Sequence, residues 1–115
     1  MSPDQHIPLS QLDLFCRHAF AAVGADGATG DAATRAMLHG TRFGVDSHGV
    51  RLLPHYRTAL QGGRLNRNPV LRRVGGFGAV EVLDADNAQG ALGAYRGMAR
   101  AIELAGGFGL GAVAI

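Results

Sequence analysis

Three side chains that can do chemistry lie within five residues of one another, in a sequence that is otherwise apolar and rich in alanine. Ser47, His48 and Arg51 bring a hydroxyl, an imidazole and a guanidinium into one short stretch. An imidazole titrates near neutral pH and can give or take a proton, and a guanidinium can hold a carboxylate or phosphate with two parallel hydrogen bonds. The cluster therefore indicates an acid/base group beside an anion-binding group.

The same residues also allow a purely structural interpretation. Asp46 or Ser47 would cap the start of a helix, His48 would point to solvent, and Arg51 would pair with Asp46. On local physics alone this interpretation is favoured. The functional interpretation depends on a similarity that covers much more of the chain.

Two glycine-rich stretches invite a nucleotide-binding interpretation and do not fit it. A dinucleotide-binding loop must follow a strand and open a helix, so that the pyrophosphate meets the helix N-terminal amides. The stretch Gly107–Gly111 follows a predicted helix and leads into a predicted strand, which favours helix capping and close packing. The stretch Gly75–Gly78 is typical of a turn.

Hydrolase and metal chemistry are not expected either. Ser47 and His48 are neighbours without the G-x-S-x-G pattern that raises a nucleophilic serine. His39, His48 and His55 are nine and seven residues apart and lack cysteine partners or an H-E-x-x-H pattern, so no zinc site is expected. If the segment were helical, His55 would share a face with His48 and Arg51 and would support them.

Length, composition and charge limit the kinds of protein that this chain can be. The chain has 115 residues, 47% of them apolar, which is enough for one folded domain. Its net charge is only +2 and its eleven basic residues are all arginines scattered along the chain, so no nucleic-acid partner is expected. The N-terminal segment 1–6 lacks the basic start and apolar core of a signal sequence. No apolar run is long enough to span a membrane. The single cysteine, Cys16, is expected to be a small core residue. These features predict a soluble, cytoplasmic protein.

Helical spacing of apolar residues predicts three helices in the first half of the chain. The first runs from Ser10 to Val23, with Ser10 and Asp13 resembling a capping pair. The second opens at Thr29 or Gly30 and ends near Gly44. The third ends at the Gly62-Gly63 pair, but Pro54 complicates its start. Either this helix begins near Leu53, which leaves residues 47–51 in a tight turn, or it is kinked at the proline.

The second half predicts a sheet and one more helix. Strands are expected at Val70–Val74 and Ala79–Leu83, joined by the glycine turn, followed by a helix over Leu92–Ala105 and a strand over Leu110–Ile115. The fold class is thus α/β, with an N-terminal helical subdomain at residues 1–63 and the start of a mixed sheet with a packed helix at residues 64–115. The apolar end of the chain predicts the front part of a longer protein.

One motif is long enough to indicate a family. The sequence contains Arg42-x-Gly44-x-Asp46-Ser47-His48-Gly49-Val50-x-Leu52-x-Pro54-x-Tyr56, followed by Leu60 and Gly62-Gly63. This stretch resembles the N-terminal signature of the malate/L-lactate dehydrogenase family, which comprises NAD(P)-dependent oxidoreductases with a fold other than the Rossmann fold. The family includes sulfolactate and ureidoglycolate dehydrogenases and reductases of cyclic imino acids such as piperideine-2-carboxylate. The resemblance extends over essentially all 115 residues.

The resemblance implies specific roles. His48 is the proton donor to the substrate carbonyl or imine, Ser47 belongs to the relay that sets its protonation, and Arg51 is the ligand of the substrate carboxylate. The cofactor is NAD or NADP, bound mostly by residues beyond Ile115, so no cofactor-binding residue is assigned and this portion alone is expected to be inactive. The resemblance also implies a homodimer. The alternative is a non-enzymatic interaction or oligomerisation module in which residues 47–51 only cap a helix.

Overall fold

A computed structural model describes residues 5–115 and confirms the α/β class. Residues 1–4, which begin the segment predicted to lack a signal sequence, lie outside the described residues. The described elements are α1 Leu9–Ala22, α2 Gly27–Arg42, α3 Leu53–Gln61, β1 Arg72–Phe77, β2 Val80–Asp84, α4 Gly90–Phe108 and β3 Ala112–Ala114, with two short 3₁₀ turns, Asp46–His48 and Val50–Leu52, between α2 and α3. The division of the chain at residue 63 stays a prediction.

The first three helices share one hydrophobic core. Cys16 and Phe20 of α1, Met37 of α2 and Leu60 of α3 are all almost completely buried in it. Cys16 is therefore the small core residue that the sequence predicted. Burial raises the pKa of its thiol, and the nearby carboxylate of Asp13 raises it further.

Both of the first two helices begin earlier than predicted. Helix α1 begins after Pro8 without a side-chain cap, so the capping role predicted for Ser10 is wrong. The carboxylate of Asp13 is not available for a capping pair, because Arg17 Nε donates to it at 2.6 Å. Helix α2 begins at Gly27 rather than at Thr29 or Gly30, because the side chain of Asp26 accepts a hydrogen bond from the Thr29 backbone N–H at 2.8 Å.

The sheet has the order β1-β2-β3, antiparallel between β1 and β2 and parallel between β2 and β3. The predicted glycine turn is wrong in part, because Gly75 and Gly76 belong to β1 and only residues 78 and 79 form the turn. Gly76 has φ +123°, and a Cβ atom there would collide with the backbone of β2. Glycine is needed at this position for close pairing with β2, just after the register shift between Arg73 and Gly75.

Helix α4 connects β2 to the parallel strand β3 and is fixed to the central strand by an ion pair. Arg100 donates from Nε and Nη2 to the two carboxylate oxygens of Glu81, at 2.9 and 2.7 Å. Glu81 is buried on β2, and these hydrogen bonds hold its pKa below the ordinary value. This pair links the second half of α4 to the sheet, and the N-terminus of the helix lies at the candidate site.

The C-terminal end of α4 confirms the interpretation of the last glycine-rich stretch. The helix continues to Phe108, beyond the predicted end at Gly106-Gly107, and Gly109 closes it in the left-handed conformation with φ +84°. Gly111 then passes so close to the helix that a Cβ atom would collide with the Ala101 carbonyl oxygen. These glycines cap the helix and allow close packing, and they do not form a phosphate-binding loop.

Candidate active site around His48

The backbone of His48 rests directly against helix α2. An added Cβ atom on Gly40, in the last turns of that helix, would lie 2.5 Å from the carbonyl oxygen of His48. The chain is turned back toward the helix by Val45, whose backbone N–H donates to the Gly40 carbonyl at 2.8 Å, and the His48 N–H then donates to Val45 at 3.0 Å. A side chain at position 40 would therefore displace the histidine.

Thr41 fixes the residues that follow His48. Its Oγ1 accepts a hydrogen bond from the backbone N–H of Val50 at 2.9 Å. An added Cβ atom on Gly49 would lie 2.5 Å from the same oxygen, so the segment passes close to the end of α2. Helix α2 thus holds the histidine segment through a glycine contact on one side and a hydroxyl on the other.

Of the two starts considered for the third helix, the one at Leu53 is confirmed, with Pro54 in the first turn. Residues 46–52 form the two 3₁₀ turns instead of a continuous helix. The structural interpretation is wrong in two parts, because neither Asp46 nor Ser47 caps α3 and the described residues contain no ion pair between Asp46 and Arg51. His48 is exposed, as that interpretation expected.

Ser47 contacts the imidazole of His48 instead of capping a helix. The distance from Ser47 Oγ to His48 Nδ1 is 2.9 Å. When the hydroxyl donates to Nδ1, a neutral imidazole carries its proton on Nε2. The pair can thus select the tautomer in which Nε2 is the proton donor.

His48 lines a cavity of about 610 Å³, which is within the usual range for small-molecule sites. The apolar part of the wall includes Met37 of α2 and Leu52 of the second 3₁₀ turn. Helix α3, the loop after it and the start of α4 supply polar groups, and none of the aspartates and glutamates within residues 5–115 lines the cavity. The polar and glycine lining residues are His48, His55, Tyr56, Arg64, Asn87, Gln89 and Gly90.

Arg51 and Arg64 occupy different places relative to this cavity. Both arginines are exposed, but Arg51 does not line the cavity, although its neighbour Leu52 does. The arginine in the wall is Arg64, which sequence reasoning missed. The only signal in the sequence was its position directly after the Gly62-Gly63 pair that ends α3, where the chain turns back across the helix. His55 also lines the cavity, although the segment from His48 to His55 is not one helix.

Arg64 is held at both ends. Its backbone carbonyl accepts a hydrogen bond from Asn87 Nδ2 at 2.7 Å. Its guanidinium Nη2 lies 3.4 Å from Nε2 of His55. Within residues 5–115 it has no carboxylate partner. The cavity therefore contains a positive charge that the described residues do not neutralise.

Gln89 lines the same cavity as Arg64 and caps α4. Its residue is only 3% exposed, and its Oε1 accepts the backbone N–H of Ala91 at 2.8 Å. Among the described residues, nothing accepts a hydrogen bond from its Nε2 amide. Gly90 and Ala91, which begin α4, line the same cavity, so the positive end of the helix dipole is also directed at it.

Two general features of the described residues bear on the class of site. Residues 5–115 contain no group of three or more His, Cys, Asp or Glu side chains arranged to hold a metal ion. In the same part of the chain, none of the helices combines the length and apolarity needed to cross a membrane.

Comparison with known proteins places the chain among dehydrogenases and reductases. Residues 7–115 match the family described as malate/L-lactate dehydrogenase. The chain is 35% identical over 109 residues to 2,3-diketo-L-gulonate reductase of Shigella boydii, covering 95% of this chain and 33% of that protein. It thus spans about a third of the length of the curated relatives that it matches.

Solved structures show the same fold. Malate dehydrogenase from Pyrococcus horikoshii superposes with a TM-score of 0.90 at 26% identity, over 95% of this chain and 31% of that one. Sulfolactate dehydrogenase from Methanocaldococcus jannaschii superposes with a TM-score of 0.88 at 24% identity, over 93% of this chain and 31% of that one.

Proposed function

The chain belongs to the malate/L-lactate dehydrogenase family, and from this membership we propose that the whole protein is an NAD(P)-dependent oxidoreductase. It transfers a hydride between the nicotinamide and a small 2-hydroxy or 2-oxo acid, or a cyclic imino acid. Two named relatives support this range, a diketogulonate reductase and a malate dehydrogenase. The observation that carries the proposal is the cavity lined by His48, because it puts the candidate acid where a small substrate can reach it.

His48 is the proton donor in the reductive direction. When bound, the nicotinamide supplies the hydride, and hydride addition at C2 of a 2-oxo acid produces an alkoxide that must be protonated. A positioned imidazole is suited to this step, because its ordinary pKa is close to neutral pH. In the oxidative direction the same imidazole accepts the hydroxyl proton.

Ser47 orients this imidazole. The 2.9 Å contact between Ser47 Oγ and His48 Nδ1 supports the role, because a hydroxyl at Nδ1 leaves Nε2 to exchange the proton with substrate. Both side chains are exposed in the described part of the chain, and this leaves the ring accessible to a ligand.

The substrate carboxylate needs a guanidinium, and the family resemblance gives this role to Arg51. That assignment stays a prediction. The cavity itself, with its apolar wall of Ala36, Met37 and Leu52, suits a small acid beside the edge of a nicotinamide ring. We expect NAD or NADP as the cofactor. We also expect a cytoplasmic homodimer.

The test uses the whole protein, because its relatives are about three times as long as this chain. A panel of 2-oxo acids and cyclic imines is incubated with NADH or NADPH, and oxidation of the cofactor is followed by absorbance. We expect reduction of at least one 2-oxo or imino acid, and a decrease in turnover of about 10²-fold or more for H48A. Turnover that H48A leaves unchanged would refute the role of His48. H18A, at an exposed position of α1 away from the cavity, is the matched control.

A further inference from the structure

The cavity beside His48 has a guanidinium of its own. Arg64 lines it and has no carboxylate partner among residues 5–115, whereas Arg51 does not line it. Arg64 is exposed, so solvent hydrates its guanidinium and leaves it available to bind an anion in the cavity. Its position thus fits an anionic ligand in this cavity.

A second, independent observation comes from Gln89. This residue is 97% buried, lines the cavity, and uses only its Oε1 within the described part of the chain. Its Nε2 amide is therefore a hydrogen-bond donor without an acceptor, next to the ligand space. Among residues 5–115 the fully buried side-chain atoms without a partner are Thr29 Oγ1 and Thr34 Oγ1, so Gln89 Nε2 is still reached by solvent. An anion oxygen in the cavity would supply it with an acceptor.

The N-terminus of α4 adds partial positive charge to the same cavity. The first turn of α4 contains no acidic residue, and its N-terminal residues Gly90 and Ala91 line the cavity. A helix of 19 residues carries partial positive charge at this end. The described wall thus combines a guanidinium, an amide donor and a helix N-terminus, and it has no carboxylate to repel an acid.

We propose that Arg64, supported by Gln89 and the N-terminus of α4, binds the carboxylate of the substrate that His48 protonates. This inference rests on the proposed function and names a residue that the sequence did not indicate. His55 contacts the guanidinium, with its Nε2 3.4 Å from Arg64 Nη2, and Asn87 fixes the backbone of Arg64 by donating to its carbonyl.

The test compares arginine variants of the whole protein on the best 2-oxo acid from the panel. R64A raises the KM about 10- to 100-fold, the loss expected when hydrogen bonds to a charged group are removed, and it changes kcat much less. R57A is the matched control, since Arg57 is an exposed arginine of α3 that does not line the cavity. R51A measures the competing assignment. An R64A enzyme with the KM of R57A overturns the inference, as does a large increase in KM for R51A alone.

Two further measurements separate carboxylate binding from general damage. Oxamate, an unreactive analogue of a 2-oxo acid, should bind the cofactor-loaded R64A protein more weakly by a similar factor in calorimetry. Reduction of the corresponding 2-oxo amide, which lacks the negative charge, should be equally fast in R64A and the wild type. An R64A defect that is as large for the amide as for the acid would overturn the inference.

The outcomes also distinguish the two proposals. If the wild-type protein reduces no 2-oxo or imino acid, the proposed function fails, and this inference fails with it. If the wild type is active and H48A is not, but R64A behaves as R57A does, only the role of Arg64 is wrong.

Discussion

The carbonyl oxygen of His48 lies against Gly40, so close that a Cβ atom at position 40 would be 2.5 Å from it. Real Cβ atoms do not approach a carbonyl oxygen this closely, and the contact is with backbone, which cannot rotate away as a flexible side chain can. The position of the candidate proton donor is thus set by the absence of a side chain on the neighbouring helix.

Replacing Gly40 should therefore act on catalysis through His48. In G40A the new methyl group displaces the His48 backbone, and turnover of the whole enzyme should fall about 10²-fold, the scale expected for a shift of about 1 Å in a catalytic group. Steady-state kinetics and the melting temperature measure both effects. G27A is the control, because a Cβ atom at the start of α2 meets nothing within 4 Å. Equal turnover in G40A and G27A would contradict the proposed positioning.

Thr41 should contribute through its hydroxyl alone. T41V keeps the shape of the side chain but leaves the backbone N–H of Val50 without its acceptor, and we expect a loss of about 1–3 kcal/mol in the free energy of unfolding. T41S keeps the oxygen and should retain most of the stability. Denaturant unfolding gives the comparison. If T41S is as unstable as T41V, the methyl group rather than the hydrogen bond supports the segment.

Removing the hydroxyl of Ser47 should affect kcat more than KM. S47A loses the contact to His48 Nδ1, so the neutral imidazole is free to place its proton on either nitrogen, and kcat should fall about 10-fold. S47T keeps a hydroxyl at the same position and should retain more activity. The pH dependence of kcat, measured for all three proteins, should differ for S47A only. Identical profiles for S47A and the wild type would argue against the relay.

The Glu81–Arg100 pair should make stability depend on pH. Because Arg100 lowers the pKa of Glu81 below its ordinary value of 4.5, the charged carboxylate stabilises the folded state at pH values above 4.5. This contribution is lost as the pH falls through the lowered pKa. E81Q should therefore melt at a lower temperature than the wild type at neutral pH, and the difference should shrink in acid.

The control for this measurement is E103Q. Glu103 bonds the same arginine at 2.8 Å, but it is exposed, and exposed ion pairs contribute little. Its melting temperature should stay close to that of the wild type at all pH values. A difference between E81Q and the wild type that is independent of pH would indicate a packing defect instead of a charge effect.

The sequence predicted the parts of this fold that depend on local patterns. Periodic apolar residues located all four helices, and the restriction that Pro54 puts on helix geometry correctly offered a start of α3 at Leu53. The errors arose where a contact with another side chain or strand competes with the local pattern. Asp13 is bound by Arg17 rather than by a helix terminus, and Gly75 and Gly76 enter β1 because the opposing strand β2 pairs with them.

The candidate site was predictable only where its residues are neighbours in the sequence. Ser47 and His48 are adjacent in the sequence, so their contact needed no tertiary information. Arg64 and Gln89 reach the cavity from a loop and from the start of α4, and no spacing rule relates either of them to His48. The roles predicted for His48, Ser47 and Arg51 await the experiments above.

The burial of Cys16 provides a chemical probe of the core formed by α1, α2 and α3. Its sulfur is completely covered, and its raised pKa keeps the thiol protonated, so a thiol-reactive dye can label it only while α1 has swung away from α2 and α3. Under native conditions the labelling rate of this residue thus measures how often α1 separates from α2 and α3. Measured by peptide mass after digestion, the labelling rate would show whether a ligand bound beside His48 slows the opening of these helices.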